Sequence, residues 1–145
     1  MLPKFFAILS IFICTLIQVH AQVYDCTEEA FQIARDSNRA VLLVFAGSDW
    51  CPGCIRFERQ ILSESDFLDF AGGHLVVLKA DFPQRKSLTS AIKKQNAMLA
   101  EKYNPDGLFP YLLLVSPDQT VIASLQYNNQ SPAEFIDEIK GYLLR

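Results

Sequence analysis

The sequence predicts an α/β domain, a mixed central β-sheet flanked by helices on both faces. Three observations predict it. Two largely apolar runs, Ala40 to Ala46 and Leu75 to Asp81, are rich in Val and Leu, as expected of strands covered on both sides. A helical pattern separates them, which makes that pair parallel. Later in the chain, 111–115 and 120–126 are joined only by Ser116-Pro117-Asp118-Gln119, a hairpin spacing that adds an antiparallel pair.

At 145 residues the chain suits one domain able to bury a core without staples. Half of its residues are apolar and a fifth are charged, which is globular composition. A formal net charge of −3 speaks against nucleic-acid binding through a basic surface.

Residues 1–21 have the pattern of an export signal. Lys4 supplies a small positive start, Phe5 to Ile17 is an uncharged apolar run, and Val19-His20-Ala21 places small residues at a cleavage site. The run of 13 residues is short of the ~20 a membrane span requires. A cut after Ala21 leaves one domain, 22–145, in a periplasmic or secreted setting. It also removes Cys14, so that Cys26, Cys51 and Cys54 remain, too few for a disulfide scaffold.

The elements follow in order. Asp25 and Glu28 have the spacing of a capping box, opening a helix with Ala30, Phe31, Ile33 and Ala34 on one face. After the first strand, Ile55, Phe57, Ile61 and Leu62 mark a second helix. Ser63-Glu64-Ser65-Asp66 breaks or kinks it before a short turn through Phe70, and Gly72-Gly73 punctuates ahead of the second strand. Ser87 to Tyr103 is a long polar helix with Leu88, Ile92, Met98 and Leu99 inward. Asn104-Pro105-Asp106-Gly107 is a turn. Ser131-Pro132-Ala133-Glu134 opens the last helix, whose apolar face holds Phe135, Ile136, Ile139, Tyr142 and Leu143.

The chemistry concentrates at Trp50-Cys51-Pro52-Gly53-Cys54, between the first strand and the second helix. Cysteines at i and i+3 can close a small disulfide ring, and a helix N-terminus at Cys51 favours a thiolate there. Pro52 suits the first helical turn. This is a site for dithiol–disulfide exchange: an exposed Cys51 attacks a substrate disulfide, and a more buried Cys54 resolves the mixed disulfide. The redox group is the Cys51–Cys54 pair itself, with no metal or organic cofactor.

Taken together, these features resemble the thioredoxin-like superfamily over the whole of 22–145. The resemblance rests on the strand before Trp50-Cys51, the CxxC, Pro110 ahead of a strand, and the closing hairpin and helix. Within it, Gly47-Ser48-Asp49-Trp50-Cys51 and Asp81-Phe82-Pro83-Gln84-Arg85-Lys86 are similar to exported bacterial proteins related to the DsbD C-terminal domain. The resemblance implies a thioredoxin-like fold and a cis Pro110 facing the disulfide. It also implies an extended protein substrate paired with 109–111, contacted by Trp50, Phe109, Pro110 and Tyr111, with Pro52, Gly53 and Asp49 in support. A protein bearing disulfides or cysteines would be the substrate, and a membrane or soluble thiol would be the electron donor.

Three departures stand out. The dipeptide is Pro52-Gly53 where thioredoxin has Gly-Pro. Tyr111 replaces a common Thr. Counting six residues back from Cys51, where thioredoxin buries an aspartate, reaches Phe45. Asp49 and Glu58 are the acids that could substitute for it.

Other readings of the same residues are a zinc half-site, in which Cys26 and His74 could join, and a purely structural disulfide. Cys26 fits a small buried hydrophobe better than a third redox thiol. A binding module that holds a peptide or a Cu(I) ion through its thiolates is the alternative functional class, weakened by only two Met in the chain.

Overall fold

The computed structural model describes residues 21–144. The expected export signal, 1–21, and Cys14 lie outside the described residues, apart from Ala21. The elements are β1 (Val23–Tyr24), α1 (Thr27–Ser37), β2 (Ala40–Ala46), α2 (Pro52–Phe57), a π-helical turn (Glu58–Leu62) and α3 (Ser65–His74). They continue with β3 (Leu75–Asp81), α4 (Ser90–Tyr103), β4 (Tyr111–Val115), β5 (Val121–Leu125) and α5 (Pro132–Leu143). The sheet order is β1-β3-β2-β4-β5. β3 pairs parallel with β1 and with β2, and β4 pairs antiparallel with β2 and β5. The expected mixed sheet is therefore present.

β2 occupies the centre and every one of its residues is buried. Its alternation divides the core in two. Leu42, Val44 and Ala46 face a cluster with Phe57, Ile61, Phe67 and Phe135 from α2, the π turn, α3 and α5. Val41, Leu43 and Phe45 face the other cluster, with Phe31 of α1 and Leu99 and Tyr103 of α4. Helices thus cover both faces, and the apolar run of β2 has its physical reason.

Several local expectations need correction. Cys26, not Asp25, is the N-cap of α1, and its side chain makes no capping bond. The Thr27 amide instead donates to Gln95 Oε1 at 2.9 Å, a partner 68 residues away that no local pattern reveals. α3 runs on through Gly72-Gly73 to His74. α4 starts at Ser90 with Thr89 as its cap. On that helix Met98 is exposed, while Asn96 is buried because its Nδ2 donates to the Asp81 carbonyl at 2.8 Å. The helix after the CxxC does break near Ser63, after widening into the π turn, where the Ser63 amide reaches back to the Glu58 carbonyl. α5 opens as expected: Ser131 and Glu134 form a complete capping box with Pro132 in the first turn.

Candidate active site

β2 ends at Ala46, and the chain turns through Gly47 to Trp50 before α2 begins. The turn is tight because the Trp50 and Cys51 amides both donate to the Gly47 carbonyl. A Cβ on Gly47 would collide with the Trp50 indole, so glycine is required there by the close approach of that ring.

Cys51 is the N-cap of α2, and Pro52 stands in its first turn. Cys51 and Cys54 are joined in a disulfide with Cα atoms 5.2 Å apart. The Cys54 amide donates to Cys51 Sγ at 3.2 Å, and the Gly47 amide to Cys54 Sγ at 3.4 Å. Both sulfurs therefore receive backbone N–H groups, which favour negative charge on sulfur when the bond is opened. The expectation of an exposed Cys51 beside a buried Cys54 needs correction: Cys51 is 5% exposed and Cys54 3%. Both residues pack within the core cluster on the α2–α3–α5 side. What separates them is position, with Cys51 capping the helix and Cys54 one turn inside it.

The 108–111 segment meets the start of α2 at Gly53. The Phe109–Pro110 peptide is cis, and a Cβ on Gly53 would stand 3.1 Å from Pro110 Cδ. Gly53 thus leaves the space that Pro110 occupies. Trp50 meets the Phe109 ring edge-on at 5.4 Å, and its Nε1 donates to the Phe82 carbonyl at 2.7 Å. Phe82 in turn meets Phe109 at 5.6 Å, and Tyr111 lies against Phe45 at 6.2 Å. Trp50, Phe109, Pro110 and Tyr111 are all half-buried. The last three line a groove of about 290 Å³ that runs to Ser124 of β5 and Asn128 beyond it.

Behind the disulfide lies a second cavity of about 250 Å³, whose walls include Ala46, Cys54, Glu58 and Lys79. Phe45 belongs to the opposite face of the sheet, so counting back from Cys51 lands on the wrong side of β2, and Ala46 is the strand residue at this cavity. Of the two acids considered as substitutes, Glu58 is in the cavity wall, ion-paired with Lys79 at 2.7 Å. Asp49 instead binds the backbone amides of residues 84–86. Glu58 follows Cys54 by four residues, one helical turn, which is the signal that could have placed it. The place of Lys79 at the cavity and the bonds of Ser48 to Asp81 and of Trp50 to Phe82 have no local signal, because the partners arrive from β3 and the residue after it.

Among the described residues no group of three or more His, Cys, Asp or Glu is arranged to hold a metal. His74 ends α3, with its ring stacked on Phe70 at 4.6 Å. Cys26 is half-buried and free.

A disulfide at the junction of a central strand and a helix, set against a cis-proline, defines a thioredoxin-fold dithiol protein. The family model for thioredoxin-like proteins matches residues 22–117. The chain is 31% identical over 120 residues to the disulfide bond reductase DsbH of Chlamydia pneumoniae, covering 83% of this chain and 72% of that protein. A solved DsbH oxidoreductase superposes with a TM-score of 0.80 at 29% identity, over 86% of this chain and 85% of that one. The DsbD C-terminal domain of Neisseria meningitidis, in its oxidised form, superposes with a TM-score of 0.55 at 17% identity. That match covers 79% of this chain and 90% of the domain, and it speaks for the fold alone. The chain belongs to the thioredoxin-like family.

Proposed function

We propose that this chain is a thiol–disulfide oxidoreductase, working as a reductase or isomerase on disulfides of exported proteins. The observation that carries the reading is the Cys51–Cys54 disulfide at the start of α2, with the Cys54 amide directed at Cys51 Sγ. The likeness to a disulfide bond reductase supports the reductive direction. The pattern of residues 1–21 supports export, with cleavage after Ala21.

In the reduced protein, Cys51 attacks as a thiolate. One substrate S–S bond breaks, a mixed disulfide forms, and the first substrate sulfur leaves as a thiolate. The Cys54 thiol then gives up its proton and attacks Cys51 Sγ. The Cys51–Cys54 disulfide forms and the second substrate sulfur departs. Two electrons pass to the substrate, and the oxidised pair is reset by a thiol donor, membrane-bound or soluble. Glu58, in the wall of the cavity that Cys54 lines, is the group that takes the Cys54 proton, and Lys79 holds its carboxylate in place. Trp50, Phe109, Pro110 and Tyr111 form the surface that meets the substrate.

Insulin reduction by dithiothreitol tests the reading. The wild type should hasten precipitation of the insulin B chain, and Cys51→Ser and Cys54→Ser should abolish the acceleration. Equal turbidity for all three proteins would refute it. A reduction potential near −270 mV would mark a reductant, and one near −120 mV an oxidant.

A further inference from the structure

Asp49 stands two residues before Cys51, and its carboxylate is bonded to the 84–86 segment. Oδ1 accepts the Gln84 amide at 2.8 Å, and Oδ2 accepts those of Arg85 at 2.7 Å and Lys86 at 3.0 Å. Three successive N–H groups converging on one carboxylate form an anion-binding nest, filled here by a side chain of the same protein. The residues on either side of Asp49 are fastened to the same region. Ser48 donates its amide to Asp81 Oδ1 at 2.9 Å and its hydroxyl to Asp81 Oδ2 at 2.6 Å. Trp50 Nε1 donates to the Phe82 carbonyl at 2.7 Å. Every residue from 48 to 50 is thus bonded to the segment 81–86, and the last of them carries the ring that abuts Phe109.

We propose that Asp49 is a positioning residue for disulfide exchange: by filling the amides of 84–86 it locks that loop to the turn before Cys51, and so fixes Trp50 and Phe109 relative to the attacking sulfur. The inference rests on the reading of Cys51 as the attacking thiol. Asp49 touches neither sulfur, so its effect passes through the placement of the substrate-facing rings. Three amides on two oxygens are accommodated best when the carboxyl is ionised and neither oxygen carries a proton. The charge that acts on it is that of Arg85 on the clamped loop, while Asp81 at the end of β3 is engaged by Ser48. The Gln84 amide, with those of Arg85 and Lys86 and the Arg85 charge, holds the Asp49 carboxyl below its ordinary range, so the clamp survives mild acid.

Trp50 is the only tryptophan in the chain, so its emission reports on the clamp directly. Asp49→Asn keeps the size of the side chain but has one acceptor oxygen for three amides. In the oxidised variant at pH 7 the Trp50 emission should already match what the wild type reaches only in acid. In the insulin assay, KM should rise about tenfold with kcat within about twofold of wild type. Ser131→Ala, which weakens a distant helix cap, should change neither reading. Wild-type emission and KM in Asp49→Asn would overturn the proposal.

If Asp49→Asn does not fold, acid titration of the wild type decides. Trp50 emission should hold through the ordinary carboxylate range and change below it while the far-ultraviolet dichroism stays native. A change that appears only on global unfolding would overturn the proposal. Emission needs no turnover, so an inactive wild type would count against the oxidoreductase reading and leave this test standing.

Discussion

Glu58 Oε2 and Lys79 Nζ lie 2.7 Å apart in the wall of the cavity that Cys54 also lines. One comes from the π-helical turn after α2 and the other from β3, so the pair joins the redox helix to the sheet. Glu58→Gln removes the proposed proton acceptor but keeps the shape. The first exchange at Cys51 should proceed at its normal rate, and the resolving step should slow by about a hundredfold at pH 7. The deficit should shrink as the pH rises, because hydroxide and buffer bases then take over removal of the proton. Stopped-flow emission of Trp50 separates the two steps.

Gly53 and Pro110 share one small space. A methyl group on Gly53 would press on the proline ring at 3.1 Å, in a site with little room to give. Gly53→Ala should destabilise the fold by about 1 kcal/mol and reduce insulin-reducing activity by more than that loss explains. Urea denaturation and the turbidity assay, run on one preparation, check both.

The carboxyls held below their ordinary range give acid sensitivity a definite sign. The Ser116 hydroxyl, with the Thr120 amide, lowers Asp118. The Ser131 amide and hydroxyl lower Glu134, and the Gln84 amide leads at Asp49. A carboxyl depressed in the folded state contributes stability that is fully present above its unfolded value. That stability is lost as the pH falls through the folded value. The melting temperature should therefore hold above the ordinary carboxylate range and fall below it. Ser131→Ala should cost about 1 kcal/mol at pH 7 through the lost cap, and its gap to wild type should narrow in acid. Melts at neutral and acid pH test this.

The features legible in the sequence are those whose cause is local. The buried run of β2, the strand–CxxC–helix junction, the hairpin spacing and the Ser131–Glu134 cap each draw on residues a few positions apart. The features that escaped have remote causes. β1 is two residues long and exists because Val23 and Tyr24 pair with Val77 and Leu78 of β3. The inward face of α4 is set by Asn96 reaching Asp81, which turns Met98 to solvent against its hydrophobicity. The period of two explains the misplaced acid, since one step along β2 separates Phe45 on one face from Ala46 at the Cys54 cavity. Cys51 and Cys54 themselves were legible because the motif needs only three residues of spacing. Burial of Cys51 was not, because the core around it is assembled from three separate helices.

The central claim is that Cys51 attacks and Cys54 resolves. Trapping measures it most directly: reduced Cys54→Ser and Cys51→Ser proteins are each mixed with a disulfide-bonded protein substrate, and the covalent adducts are mapped by peptide mass. Mapping keeps Cys26, the free cysteine among the described residues, distinguishable. The prediction is a stable mixed disulfide through Cys51 in Cys54→Ser, released by dithiothreitol, and little or none through Cys54 in Cys51→Ser. Adducts of equal yield through Cys54, or none through Cys51, would contradict it.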